Sequence, residues 1–197
     1  MMSKQKETRY ISIEKLETRA TEEDNKLSIS GYVVQFNKRS KVMWDFVEVV
    51  AKGAFRNSLK ENVIKALWNH NHDYVLGSTK NSTLKLREDD YGLKFELDLP
   101  SNTWGKDCYE SVSRGDVDGV SFGFFVREDE WEYIDDEDLY KRTLLEVDLF
   151  EISPTPFPAY EDSQASCRSF ENFKTELEEK ENKELRKRKL SLELDLI

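Results

Sequence analysis

The chain has 197 residues, of which 36% are charged, and a formal net charge of -10. That length suits one globular unit with an appendage. The acidic balance excludes a protein that holds nucleic acid mainly by neutralising phosphates. No run of about eighteen apolar residues marks a membrane helix, and the start "MMSKQKETRY" lacks the apolar core of a signal peptide, so a soluble, cytosolic protein is expected. The two cysteines, Cys108 and Cys167, lie far apart without a CxxC, which indicates free thiols rather than a disulfide framework or a zinc site.

The amino-terminal third reads as β. "RYISIEKLE", "KLSISGYVVQF" and "MWDFVEVV" each alternate β-branched or aromatic residues with polar ones. "KGAFRNSLKEN" suits a short helix, and "VIKALWNH" a buried strand. "TLKLREDDYGLKFELDLP" is a hairpin whose alternating runs meet at Asp89, Asp90, Tyr91 and Gly92. "SNTWGKDCYESVSRG" is a helix with Ser101, Asn102 or Thr103 as its cap and Gly115 as its stop, and it places Cys108 near Trp104 and Val112 in the core.

That helix delivers the chain into "GDVDGVSFGFFV". Alternation puts Val120, Phe122, Phe124 and Val126 on one face of a strand and Ser121, Gly123 and Phe125 on the other. Taken alone, Ser121 reads as a small residue in a tight spot of a sheet. "DEWEYIDDEDLYKRTLLEVDLFEIS" then gives a strand, an acidic loop at 135–138 and a long strand ending before the stiff, proline-rich "PTPFPAY". The acids at 135–138, like Asp116 and Asp118, lack calcium-loop spacing and read as solvated turns. Beyond about residue 163 comes a charge-rich tail with a weak helical stripe of Phe170, Phe173 and Leu177, followed by leucine alternation from Leu190 to Leu196.

A serine hydroxyl needs a base to take its proton, and the chain has only two histidines, His70 and His72, both in "ALWNHNHDYVLG". If Ser121 is a nucleophile, one of them is its base. On a strand these two would face the same way, so neither supports the other across a site, and an acid is the expected third group. In "LLEVDLFEISPTPFPAY" alternation sets Leu145, Val147, Leu149 and Glu151 on one face. Glu151 there extends an apolar surface and calls for a cationic or hydrogen-bonding partner. Asp148 is the alternative acid, and a metal shared by His70, His72 and Asp73 is the competing chemistry.

Four blocks, "VVAKGAFRNSL", "ALWNHNHDYVLGSTKNSTLKLREDDYGLKFELDLP", "SRGDVDGVSFGFFV" and "LFEISPTPFPAY", resemble in order and spacing the prohead proteases of tailed phages with the Hong Kong 97-type capsid. The resemblance covers roughly residues 10 to 165. It implies a mainly β, α+β fold, a β-barrel surrounded by a few helices as in the herpesvirus assembly protease. It assigns residues 1–164 to a serine protease domain and 165–197 to a charged tail, partly helical or disordered. It further implies Ser121 as an exposed nucleophile, with the flanking glycines leaving room for the substrate backbone. His70 is the implied base, since Leu76 and Gly77 follow at the family's distance, and Glu151 the acid; His72 is incidental. No cofactor is implied. The implied partner is the major capsid protein with its scaffolding segment, or a separate scaffold, cut inside the procapsid in the host cytoplasm together with the protease itself. Self-association as a dimer or higher oligomer is left open, and the tail is expected to help package the enzyme or to be trimmed by it. The rival within the same fold is a catalytically silent scaffold or capsid-binding component.

Overall fold

The structure, a computed structural model, describes residues 6–12, 16–21, 26–157 and 164–194. The chain divides into two compact units, residues 1–161 and 162–197. The first is mainly β and carries the strands β1 (Lys6–Ser12), β2 (Glu17–Thr21), β3 (Lys26–Gln35), β4 (Phe46–Val50), β5 (Lys65–Trp68), β6 (Asn71–Ser78), β7 (Leu84–Glu88), β8 (Gly92–Asp98), β9 (Gly119–Ile134) and β10 (Leu139–Thr155). It also holds helices α1 (Arg56–Glu61) and α2 (Thr103–Ser113) and a 3₁₀ turn at Thr79–Asn81.

One sheet runs in the order β1-β9-β10-β5-β6, with β4 also paired to β10, and the other in the order β2-β3-β8-β7. Their facing sides share one core: Ile29, Val33, Phe95 and Leu97 from the smaller sheet meet Val120, Phe122, Phe124, Leu149 and Ile152 from the larger. The apolar alternation of β9 therefore faces inward as its sequence requires, and Ser121 and Gly123 lie on the opposite side of the strand.

The β7–β8 hairpin forms where expected. Asp89 Oδ1 accepts the N–H groups of Tyr91 and Gly92 at 2.8 and 3.0 Å, which is why an aspartate begins the turn. Asn102 caps α2, accepting the Gly105 N–H at 3.0 Å, and Gly115 follows the helix at φ +81°. Cys108 is buried, and burial pushes its thiol up to about 12, so it packs as an inert apolar group. The side chain of Cys167 lies outside those described.

Several expectations are corrected. "RYISIEKLE" is not one strand: β1 ends at Ser12 and joins one sheet, while β2 begins at Glu17 in the other. His70 does not lie on a strand with His72. It is the second residue of the tight turn between β5 and β6, with Asn69 and His70 at φ +51° and +59°, the backbone that a two-residue hairpin turn demands. β10 continues through Pro154 to Thr155 before the chain bends at Pro156 and Phe157, and the rest of "PTPFPAY" lies outside the described residues.

β10 also departs from simple alternation. Register shifts occur beside Leu145 and at Phe150, so Leu144, Val147, Leu149 and Ile152 point into the core, while Leu145 does not and Glu151 turns to the outer face. α1 lies along β10 between the points where β4 and β5 pair with it. Its buried Ser58 Oγ takes the Leu149 N–H at 2.8 Å and donates to the Leu149 carbonyl at 3.2 Å. These backbone groups lie on the edge of β10 between the stretches paired with β4 and with β5, and the hydroxyl satisfies them.

The second unit is α3 (Gln164–Leu194), a 31-residue helix. Phe170, Phe173 and Leu177 form its least exposed stripe, and the ammonium of Lys174 lies 4.5 Å from the Phe170 ring centroid. The Leu190–Leu196 stretch is helical as far as Leu194 rather than extended, and 195–197 lie outside the described residues.

Candidate active site

Ser121 sits between two neighbours, opposite Tyr10 of β1 and opposite Ser153 of β10. It is fully buried, which corrects the expectation of an exposed side chain: β1 runs along this flank of β9, and Ser121 Oγ donates to the Arg9 carbonyl at 2.9 Å.

β1 is fastened by an ionic cluster. Arg9 pairs with Glu7 at 2.6 Å and with Glu48 of β4 at 2.6 Å. Arg142 of β10 contacts Glu7 at 2.9 Å, Glu48 at 3.2 Å and Asp129 at 2.7 Å. Glu7, Arg9, Glu48 and Arg142 are all buried. Burial opposes the charge on Glu7, but Arg9 and Arg142 outweigh it by charge and hydrogen bonding and hold its carboxyl below the usual range. The cluster spans residues 7 to 142 and leaves no local trace in the sequence.

On the other side of β9, the carboxylate and the imidazole meet. Glu151 is 2% exposed, and its Oε1 lies 2.7 Å from His70 Nδ1. The β5–β6 turn is pinned over the end of β10 to allow this. The Asn69 N–H donates to the Pro154 carbonyl at 3.1 Å, Thr155 Oγ1 donates to Asn69 Oδ1 at 2.7 Å, and the His70 N–H donates to Ser153 Oγ at 3.3 Å. Ser153 Oγ donates in turn to Glu151 Oε2 at 2.6 Å. With Nδ1 held by the carboxylate, Nε2 of a neutral imidazole is the acceptor; it is buried and has no hydrogen-bond partner. No hydrogen bond joins it to Ser121, whose hydroxyl is turned the other way.

The other candidates lie elsewhere. Asp148 pairs with Arg127. His72 and Asp73 are exposed on β6, and among the described residues no group of three or more His, Cys, Asp or Glu is placed to share a metal.

Gly123 has a different use from the one its sequence suggests. A Cβ there would lie 2.6 Å from the Phe150 ring and 2.7 Å from Glu151 Oε1, so the missing side chain makes room for the carboxylate that holds His70 rather than for a passing backbone. Gly123→Ala is therefore expected to push Glu151 away from His70 and to cost about 1–3 kcal/mol in stability. The low-field Nδ1–H proton resonance of His70, in a chain with only two histidines, should shift or vanish, while an unchanged resonance would show that Phe150 yields instead.

Sequence reasoning passed over Ser153, although it stands two residues beyond Glu151 and alternation puts both on one face.

Residues 14–176 match the family model of the Caudovirus prohead serine protease. The chain belongs to that family. It is similar to the prohead protease of Enterobacteria phage HK97, with 27% identity over 170 residues, 84% of this chain and 71% of that protein. The capsid assembly protease of bacteriophage T4 has the same fold at a TM-score of 0.52, with 10% identity over 78% of this chain and 99% of that structure. The family is one of phage capsid maturation proteases, in agreement with the mainly β fold and the four sequence blocks. No described helix is long and apolar enough to cross a membrane.

Proposed function

We propose that this chain is the serine endopeptidase that cuts the scaffolding segment of its phage's major capsid protein, or a separate scaffold, and itself, inside the procapsid in the host cytoplasm. One observation carries the assignment of roles: Glu151, buried on the strand that pairs with that of Ser121, holds the His70 imidazole at Nδ1 and leaves Nε2 unpartnered. Glu151 fixes the ring and stabilises its charged form, and Nε2 is the atom left to move a proton.

For reaction, Ser121 turns its hydroxyl from the Arg9 carbonyl toward Nε2, a rotation about one side-chain bond. As Oγ bonds to the carbonyl carbon of the scissile peptide, its proton passes to Nε2. The tetrahedral intermediate collapses with cleavage of the C–N bond, and Nε2 gives that proton to the departing amine. Water then repeats the sequence on the acyl enzyme, with Nε2 as base and Ser121 as leaving group. Residues 165–197 serve packaging or are trimmed during maturation.

A second reading, a catalytically silent capsid-binding component, is favoured by the burial of Ser121 and by its hydrogen bond to β1. A fluorophosphonate probe separates the two. The protease reading expects a single covalent adduct mapped to Ser121, lost in His70→Ala. A protein that binds the coat protein yet takes no adduct at Ser121 would be the silent component.

A further inference from the structure

We infer that Ser153 is a positioning residue of this site, holding Glu151 and the His70 turn in register with one hydroxyl; the inference rests on the roles just proposed for Ser121, His70 and Glu151. A hydroxyl has one proton to donate and lone pairs to accept with. In Ser153 the proton goes to Glu151 Oε2 at 2.6 Å, the length of a charge-assisted O–H···O⁻ bond, and the oxygen accepts the His70 N–H at 3.3 Å. Glu151 Oε1 meanwhile holds Nδ1 of the same histidine at 2.7 Å. The contacts close a ring that runs from the His70 backbone through Ser153 and Glu151 back to the His70 imidazole. The carboxylate has one oxygen on each partner and cannot rotate without breaking a bond.

The need for such a clamp follows from the turn. His70 sits at φ +59°, a left-handed conformation that a residue with a Cβ holds only where its surroundings impose it. Ser153 imposes it from β10, and it is also the residue paired with Ser121 across the sheet, so the base and the nucleophile are referred to a single strand position. Ser153 is fully buried and its proton is engaged by the carboxylate, so it is not a second nucleophile.

The test uses the full chain and a peptide spanning the coat-protein cleavage site, with active sites counted by the fluorophosphonate probe. Ser153→Ala should lower kcat per titrated site by about 10- to 100-fold with KM unchanged, the loss that follows from slight misplacement of a catalytic group. The low-field His70 Nδ1–H resonance should shift or disappear with it. Ser153→Cys keeps the volume but supplies only a weak donor, and it should behave as alanine does if alanine does not fold. Ser153→Thr keeps the hydroxyl and should restore kcat and resonance together. Wild-type kcat per site and an unmoved resonance in the alanine or cysteine variant would overturn the inference. So would a loss confined to the number of titratable sites, since that is a purely structural role. Ser121→Ala serves as the control: if it retains turnover, the underlying assignment fails whatever Ser153 does.

Discussion

Ser121→Ala and His70→Ala are each expected to lower peptide turnover by about 10⁴- to 10⁶-fold, and the double variant no further than either single one. The non-additivity is the informative part. The nucleophile and its base act in one step, so once Oγ has no acceptor for its proton, removing Oγ costs little more. Glu151→Gln should cost less, about 10²- to 10⁴-fold. The amide can still touch Nδ1, but it does not stabilise the imidazolium that forms as Nε2 takes the proton. Steady-state kinetics on the three single variants and the double variant check the pattern. Additive losses from Ser121 and His70 would mean that the two act separately.

Arg142→Ala is expected to destabilise the fold by about 3–5 kcal/mol, the range for a buried ionic network that loses one partner. Arg142 bonds Glu7, Glu48 and Asp129 at once, and its loss removes one of the two arginines that Glu7 and Glu48 share. The loss falls on the attachment of β1, and β1 carries the carbonyl that holds the Ser121 hydroxyl. The same cluster sets an acid limit. The folded-state carboxyl of Glu7 lies below its unfolded value of about 4.3. Its contribution to stability is therefore fully present only above that unfolded value, from about pH 5 upward, and is lost as pH falls through the folded value. Urea unfolding at several pH values should show wild type losing stability below about pH 5, and Arg142→Ala losing less over the same interval because the Glu7 carboxyl is then held down less. Equal acid slopes would place the acid sensitivity outside this cluster.

The parts of the fold that sequence made legible are those governed by local rules. Asp89 and Gly92 signalled the hairpin, Asn102 and Gly115 bracketed α2, and the alternation of Val120, Phe122 and Phe124 set both the core face of β9 and the outward face of Ser121. The buried carboxylate at 151 called for a partner, and His70 is bonded to it. What stayed hidden was non-local or irregular. Strict alternation grouped Leu145 with Leu149 and Glu151, yet the inward set is Leu144, Val147, Leu149 and Ile152, whose three-residue steps are the trace of two bulges. Without the bulge at Phe150, Glu151 would face the core and not His70. The turn at His70 did leave a signal, because asparagine, the residue before it, tolerates positive φ better than most. The ionic cluster left none, since its members are scattered over four strands and each reads alone as an ordinary polar position.

Coat protein carried through assembly tests the central claim most directly. The wild-type chain and Ser121→Ala would each be co-expressed with the cognate coat protein, and the assembled particles weighed by intact-mass spectrometry. Coat protein shortened by wild type and left whole by Ser121→Ala is the expected result, and the mass difference would identify the bond cut. Equal shortening by both chains would remove Ser121 as the nucleophile, and whole coat protein in fully assembled wild-type particles would contradict the protease reading itself.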